Sequence, residues 1–101
     1  MYFIEKTSQF DRWLKKLKDL KAKSKILFRI QRLETNAHLG DCRSVGEGIH
    51  EMRIDFGQGY RIYFKEQDGR IILLLCGGSK STQQKDILKA REIWRNLKKS
   101  K

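Results

Sequence analysis

Two runs of alternating apolar and polar residues, separated by Gly57-Gln58-Gly59, constrain this chain more than any other feature. In residues 49–56, His50, Met52, Ile54 and Phe56 point to one side, and Ile49, Glu51, Arg53 and Asp55 to the other. In residues 60–65, Tyr60, Ile62 and Phe64 form the apolar set, opposite Arg61, Tyr63 and Lys65. Period two belongs to strands, and two such runs around a glycine-containing loop read as a β-hairpin. The apolar sets share one face only if paired residue numbers add to an even sum. A three-residue loop with glycine last meets this condition. It pairs Phe56 with Tyr60, Asp55 with Arg61, Arg53 with Tyr63, and Glu51 with Lys65. A two-residue loop would scramble the core.

The other face of that hairpin is polar and carries the first candidate site. Arg53 and Arg61 lie on neighbouring strands with Tyr63 on the same side. Two guanidinium groups beside a phenol suit a phosphodiester, because arginine binds phosphate oxygens bidentately. The same residues also suit a cross-strand ion-pair ladder with Glu51 and Asp55. Spacing alone tips slightly toward the ladder.

Helical periodicity precedes and follows the hairpin. Residues 2–5 read as a short strand, and Thr7 or Ser8 can cap a following helix, with Asp11 in capping-box position after Ser8. Phe10, Trp13, Leu14, Leu17 and Leu20 share one stripe of that helix. A second helix over about residues 24–36 presents Ile26, Ile30, Leu33 and Ala37, with Leu27 beside them. Gly40, Gly46 and Gly48 then break the pattern, and a short strand is possible around residues 43–45. After the Asp68-Gly69 turn, residues 71–76 are apolar on both faces, as in a central strand covered by helices. A last helix, capped by Ser81 or Thr82, carries Ile87, Leu88, Ala90, Ile93, Trp94 and Leu97. The order β-α-α-β-β-β-α predicts a single α+β domain over residues 1–101, an antiparallel sheet of four to five strands packed by helices.

The segment Gly77-Gly78-Ser79-Lys80-Ser81-Thr82 invites comparison with a nucleotide phosphate loop. That loop needs G-x-x-x-x-G-K-[ST] so that successive amides wrap the phosphates. Here Ser79 separates glycine from lysine and the earlier glycine is missing, so an NTPase is not indicated. A strand end, a lysine and a helix start together still favour a bound phosphate, while a plain strand-to-helix turn explains the glycines equally well.

Charge narrows the choice of partner. Twenty-three basic residues against twelve acidic ones give the 101-residue chain a net +11. Residues 12–32 hold nine basic residues against Asp19 alone, and residues 80–101 hold eight against Asp86 and Glu92. The stretch 41–70 is nearly balanced, with five basic and six acidic residues. Polyanions, nucleic acid above all, suit such a surface, and so does an acidic protein; solvated helix faces are the plain alternative. Cys42 and Cys76 lie 34 residues apart without metal-ligand spacing, and His38 and His50 are isolated, so neither a metal site nor a disulfide is expected. No apolar run reaches the ~20 residues of a membrane span. The N-terminal residues lack a signal-peptide pattern, which makes the cytoplasm the expected compartment.

Taken in order, several segments resemble a known family. They are Gly48-Ile49-His50-Glu51-Met52-Arg53-Ile54, Gly59-Tyr60-Arg61-Ile62-Tyr63-Phe64, residues 73–83, and Lys85-Asp86-Ile87 with Ala90. Upstream, Phe10-Asp11-Arg12-Trp13-Leu14 and Gly40-Asp41 extend the likeness over nearly the whole chain. The set resembles the HigB-like addiction-module killer proteins of the RelE/ParE superfamily, toxins of bacterial type II toxin–antitoxin systems. The resemblance implies a RelE/ParE-like fold and growth arrest by metal-independent cleavage of mRNA on the ribosome, with no cofactor. It also implies a cognate helix-turn-helix antitoxin, HigA-like, in a toxin–antitoxin complex. By the same resemblance Arg61 stabilises the phosphate, and Arg53 and Lys80 occupy basic positions around it.

One feature departs from that pattern. Some well-known relatives that cut RNA carry a tyrosine or histidine in the C-terminal segment, where this chain has Ile87 and neither residue type after Tyr63. Tyr63 and Glu51 are the substitutes on hand for acid and base. Lys15, Lys16, Lys23, Lys25, Arg29 and Lys85 are the expected contacts to ribosomal RNA. A non-enzymatic inhibitor, as in the gyrase-poisoning branch, or a decayed toxin that mainly binds its antitoxin, is the alternative.

Overall fold

The computed structural model describes residues 2–36 and 41–99. Along them run β1 (Phe3–Lys6), α1 (Ser8–Lys16), α2 (Leu20–Asn36), β2 (Cys42–Ser44) and β3 (Ile49–Ile54). These are followed by β4 (Tyr60–Gln67), β5 (Ile71–Ser79), a 3₁₀ turn (Lys80–Thr82) and α3 (Gln83–Lys99). The strands form one sheet in the order β1-β5-β4-β3-β2. The last four pair antiparallel, whereas β1 joins β5 in parallel, so the expected antiparallel sheet is mixed at one edge. A connection as long as the two intervening helices and three strands makes that parallel pairing possible.

The period-two runs divide the core as their pattern requires. Met52, Ile54, Tyr60, Ile62, Phe64, Ile72 and Leu74 pack under α1 and α2. Ile49, Tyr63, Leu75 and Cys76 face the other way, under Ala90 and Ile93 of α3. A register shift between Tyr63 and Phe64, opposite Leu75, lets neighbouring Leu74 and Leu75 serve different layers. Thr7 reads this irregularity: its Oγ1 donates to the Leu75 carbonyl (2.6 Å) and accepts from Phe10 N–H (3.0 Å), capping α1. Thr7, not Ser8, is therefore the cap. Asp11 falls outside a capping box and lies instead 4.0 Å from Lys6 Nζ.

Two helix boundaries differ from those read in the sequence. The apolar stripe predicts a first helix reaching Leu20 and a second starting near residue 24, but α1 ends at Lys16 and α2 begins at Leu20. Asp19 is the reason: its Oδ1 accepts from the amides of Lys21 and Ala22, both at 3.1 Å, which starts a new helix there. Leu20 is consequently exposed. Ala37, His38 and Gly40 lie outside the described residues.

The hairpin register is the larger correction. Its loop has five residues, 55–59, and the ladder pairs Ile54 with Tyr60, Arg53 with Arg61, Met52 with Ile62, and Glu51 with Tyr63. Every pair is displaced by two from the expected set, which keeps the even sum and so the same core face. Phe56 leaves the ladder, its N–H bonding back to the Ile54 carbonyl, and half-buries beneath the ammonium of Lys25, 5.1 Å from the ring centre. Gly57 and Gly59 close the loop at φ 57° and 79°, values glycine adopts without strain.

Candidate functional site

The corrected register decides what the polar face becomes. Arg53 and Arg61 stand directly opposite each other, and so do Glu51 and Tyr63. On the far side of β3, Arg43 of β2 pairs with Glu51. Two like charges facing each other in a ladder repel unless something intervenes. Glu51 intervenes. It is fully buried, and its Oε1 accepts from Arg43 Nε (3.0 Å), Arg61 Nη1 (3.3 Å) and Arg53 Nε (3.4 Å). Its Oε2 accepts from Gln83 Nε2 (2.9 Å), at the start of α3, and from the Tyr63 hydroxyl (3.0 Å).

One carboxylate therefore organises three guanidinium groups. Burial pushes the Glu51 carboxyl up, but hydrogen bonds from Gln83, Tyr63 and Arg43 and the charge of Arg61 outweigh it, holding the group below the ordinary carboxylate value. The Tyr63 phenol is raised, first by burial and then by the charge of Glu51 and the bond it donates there. Arg61 is nearly buried, whereas the side chains of Arg53 and Arg43 are 38% and 52% exposed. The cluster thus presents fixed, outward-reaching guanidinium groups with a local excess of positive charge. Such an array suits an anion whose oxygens can be shared among several donors.

Gly77 and Gly78 position the neighbouring wall. They are not a phosphate-wrapping loop: both lie within β5, paired with Ile62 and Arg61. A Cβ on Gly77 would stand 2.4 Å from the Trp13 ring, and one on Gly78 would stand 1.8 Å from Asp86 Oδ2. The paired glycines let α1 and α3 approach opposite faces of the sheet. Thr82 Oγ1 accepts from Ser79 N–H (3.2 Å) and donates to Asp86, which holds the carboxylate over Gly78, the ladder neighbour of Arg61.

The residues named in the sequence divide into groups. Arg53, Arg61 and Tyr63 converge on Glu51. Lys80 is exposed just past β5, its amide bonding to the Gly59 carbonyl (2.7 Å), so it flanks the hairpin end where Tyr60 begins β4 and Arg61 follows. Arg29 Nη1 donates to the Arg53 carbonyl (3.0 Å) and fastens α2 to that end of β3. Lys25 rests on Phe56, and Lys16 meets Gln58 and Tyr60 across a shallow cleft. Lys15 and Lys23 stay on the α1 and α2 side of the sheet, and exposed Lys85 is on α3 across from them. The six helical cations do not form one patch. Asp55, expected opposite Arg61, is exposed in the loop.

Sequence reasoning gives Arg43, Gln83 and Asp86 no role in the site, although Gln83 and Asp86 fall within the segments that carry the family resemblance. Arg43 had a readable signal, since a turn over Gly46 and Gly48 folds the segment before it onto β3. Gln83 had none, lying 32 residues from Glu51. Among the described residues no three His, Cys, Asp or Glu side chains gather as a metal site, and no helix is long and apolar enough to cross a membrane.

Residues 12–97 match the family model described as Phage derived protein Gp49-like (DUF891). An uncharacterized protein of Haemophilus influenzae is 54% identical over 94 residues, covering 93% of this chain and 94% of its own. Among solved structures, a chain of the intact E. coli RelBE toxin–antitoxin complex superposes with TM-score 0.65 at 12% identity, covering 78% of this chain and 96% of that one. A double arginine-to-alanine mutant of E. coli toxin RelE in the free state gives TM-score 0.65 at 12% identity, over 88% and 92% of the two chains. At that identity the likeness is one of fold, which is RelE-like.

Proposed function

Because the chain belongs to the phage-derived Gp49-like family and has the RelE-like fold, we propose that it is the toxin of a toxin–antitoxin pair, blocking translation by cutting ribosome-bound mRNA. The observation that carries this reading is the Glu51-centred arrangement of Arg43, Arg53 and Arg61. Three guanidinium groups share one buried carboxylate, which leaves positive charge over for the oxygens of a phosphodiester.

The reaction requires no external nucleophile. The 2′-oxygen of the RNA attacks the adjacent phosphorus, the bond from phosphorus to the 5′-oxygen breaks, and a 2′,3′-cyclic phosphate and a 5′-hydroxyl result. A proton leaves the 2′-hydroxyl and one reaches the departing 5′-oxygen. Arg61 and Arg53 neutralise the phosphoryl oxygens as charge builds on them, and Lys80 supplies a further cation at the hairpin end. Glu51 and Tyr63 are fully buried and bonded to each other, so they hold the arginines rather than exchange protons with substrate. Proton transfer then falls to solvent or to the ribosomal setting, which is consistent with cleavage only of message aligned there.

The same burial favours a second reading, in which the chain inhibits growth or binds an antitoxin without cutting RNA. A cognate antitoxin of the helix-turn-helix, HigA-like kind fits either version, and ribosome and mRNA fit the first. The test is purified chain in a cell-free translation reaction, with mRNA ends mapped by primer extension, with and without ribosomes. Cuts confined to translated message, absent with Arg53→Ala, establish cleavage; arrest without cuts selects the second reading.

A further inference from the structure

Helix α2 carries two apolar faces. Its core side, Ala22, Ile26, Ile30 and Leu33, is buried. On the opposite side Leu20, Leu27 and Phe28 are 75%, 47% and 59% exposed. Positions i, i+7 and i+8 lie on one side of a helix. With Lys23, Ser24 and Gln31 they line a shallow groove of about 400 Å³. A second depression shares Ser24 and Phe28 and continues to Ile54 and Asp55 at the end of β3. The path therefore ends beside Arg29, which holds the Arg53 carbonyl.

Single exposed apolar residues are common, but three in one strip with a groove between them mark a contact surface. The chemistry of the strip selects its occupant. Lysines alone would suit nucleic acid, yet a centre of two leucines and a phenylalanine offers nothing to a phosphodiester backbone. It does suit the apolar stripe of another helix. A second copy of this chain is disfavoured by charge: α2 carries Lys21, Lys23, Lys25, Arg29 and Arg32 against Glu34, within a chain of net +11. Two such helices face to face would repel.

We propose that the outer face of α2 docks an amphipathic helix of a partner protein, an apolar stripe flanked by acidic side chains. The groove's end at Ile54 and Asp55 places such a helix against the strand that carries Glu51 and Arg53. The surface stands on α2 itself; only the choice of one probe rests on the proposed toxin–antitoxin reading.

Two probes test it by NMR titration of the isotopically labelled full chain. One is the product of the reading frame adjacent to that encoding this chain. The other is a synthetic helix with leucines at i, i+4 and i+7 flanked by glutamates. The expected result is that amide shifts concentrate in residues 20–31 for at least one probe. Phe28→Ser weakens that binding by about 30-fold or more, as for an interface anchor. Lys21→Glu with Lys25→Glu weakens it too and flattens its salt dependence. All these positions are exposed, so unchanged thermal melting checks that the variants fold. Growth arrest by the chain alone is scored separately, so the activity reading and the surface can fail independently. The proposal is overturned if neither probe shifts α2, if shifts gather elsewhere and survive Phe28→Ser, or if the chain alone dimerises through Phe28. It is also overturned if an RNA oligonucleotide produces the α2 shifts more tightly than either probe.

Discussion

Arg53 and Arg61 face each other across the β3–β4 ladder, and both point a guanidinium at the same oxygen of Glu51, at 3.4 and 3.3 Å. Two cations opposed in this way destabilise a sheet when alone. Here the carboxylate between them, buried and also bonded to Arg43, Tyr63 and Gln83, makes the pair tenable.

Glu51→Gln removes the one negative charge from that cluster. The expected loss is about 3 kcal/mol, because a nearly buried Arg61 is left without its counter-ion. The wild type should also lose stability in acid. The Glu51 carboxyl is depressed below its ordinary 4.5 in the folded chain, so its contribution is present above 4.5 and disappears as pH falls through the lower folded value. Urea unfolding from pH 7 to pH 2 checks both points, with the variant showing a flatter acid limb.

Arg53→Ala should abolish message cleavage by about 10²–10³-fold, the size expected for a lost transition-state donor, while changing stability by under about 1 kcal/mol. Its partly exposed side chain separates function from folding better than Arg61 does. Primer extension and thermal melting on the same sample are the measurements.

Tyr63→Phe distinguishes a holding role from an acid's role. If the phenol only steadies Glu51, cleavage should fall by less than about tenfold. A general acid would cost about 10²–10⁴-fold and change the pH profile of the rate.

Gly78→Ala should destabilise by about 1–3 kcal/mol, since its Cβ would collide with the Asp86 carboxylate. Asp86→Ala removes that obstacle, so the two substitutions together should cost less than the sum of each alone. Gly77→Ala should be worse and simply add to Asp86→Ala, because its obstacle is the Trp13 ring on the opposite face. A double-mutant cycle by urea unfolding reads the coupling.

The cysteines should be inert in the native chain. Burial raises the Cys76 thiol to about 12 and the Cys42 thiol to about 11, so little thiolate exists at pH 8. An aromatic disulfide reagent should react at a rate set by unfolding for Cys76, and faster once denaturant is added.

Which side chains share a face was legible in the residues, because a strand turns its side chains over at every step. The alternation in 49–56 and 60–65 assigned Met52, Ile54, Tyr60, Ile62 and Phe64 to one layer and Glu51, Arg53, Arg61 and Tyr63 to the other, and the structure agrees. The three helices, the order of the elements and the candidate arginines were legible for the same reason of period. Parity, however, is unchanged by a shift of two. Three-residue and five-residue loops both satisfy the pattern, and only the packing of Phe56 under Lys25 and the turn at Gly57 and Gly59 chose between them.

That shift of two separates a ladder of ion pairs from a cluster of three arginines on one carboxylate. Alternation along β3 and β4 is enough to put acidic and basic side chains on the same polar face of the hairpin. Tertiary structure alone decided that Glu51 would be its buried centre, since Gln83 arrives from α3 and Arg43 from the edge strand. It likewise decided that Leu20, Leu27 and Phe28 would stay outside, because the sheet has only one side to offer α2 and the aliphatic stripe from Ala22 to Leu33 takes it. Local periodicity fixes direction along one element; burial depends on what another element, distant in the chain, brings over it.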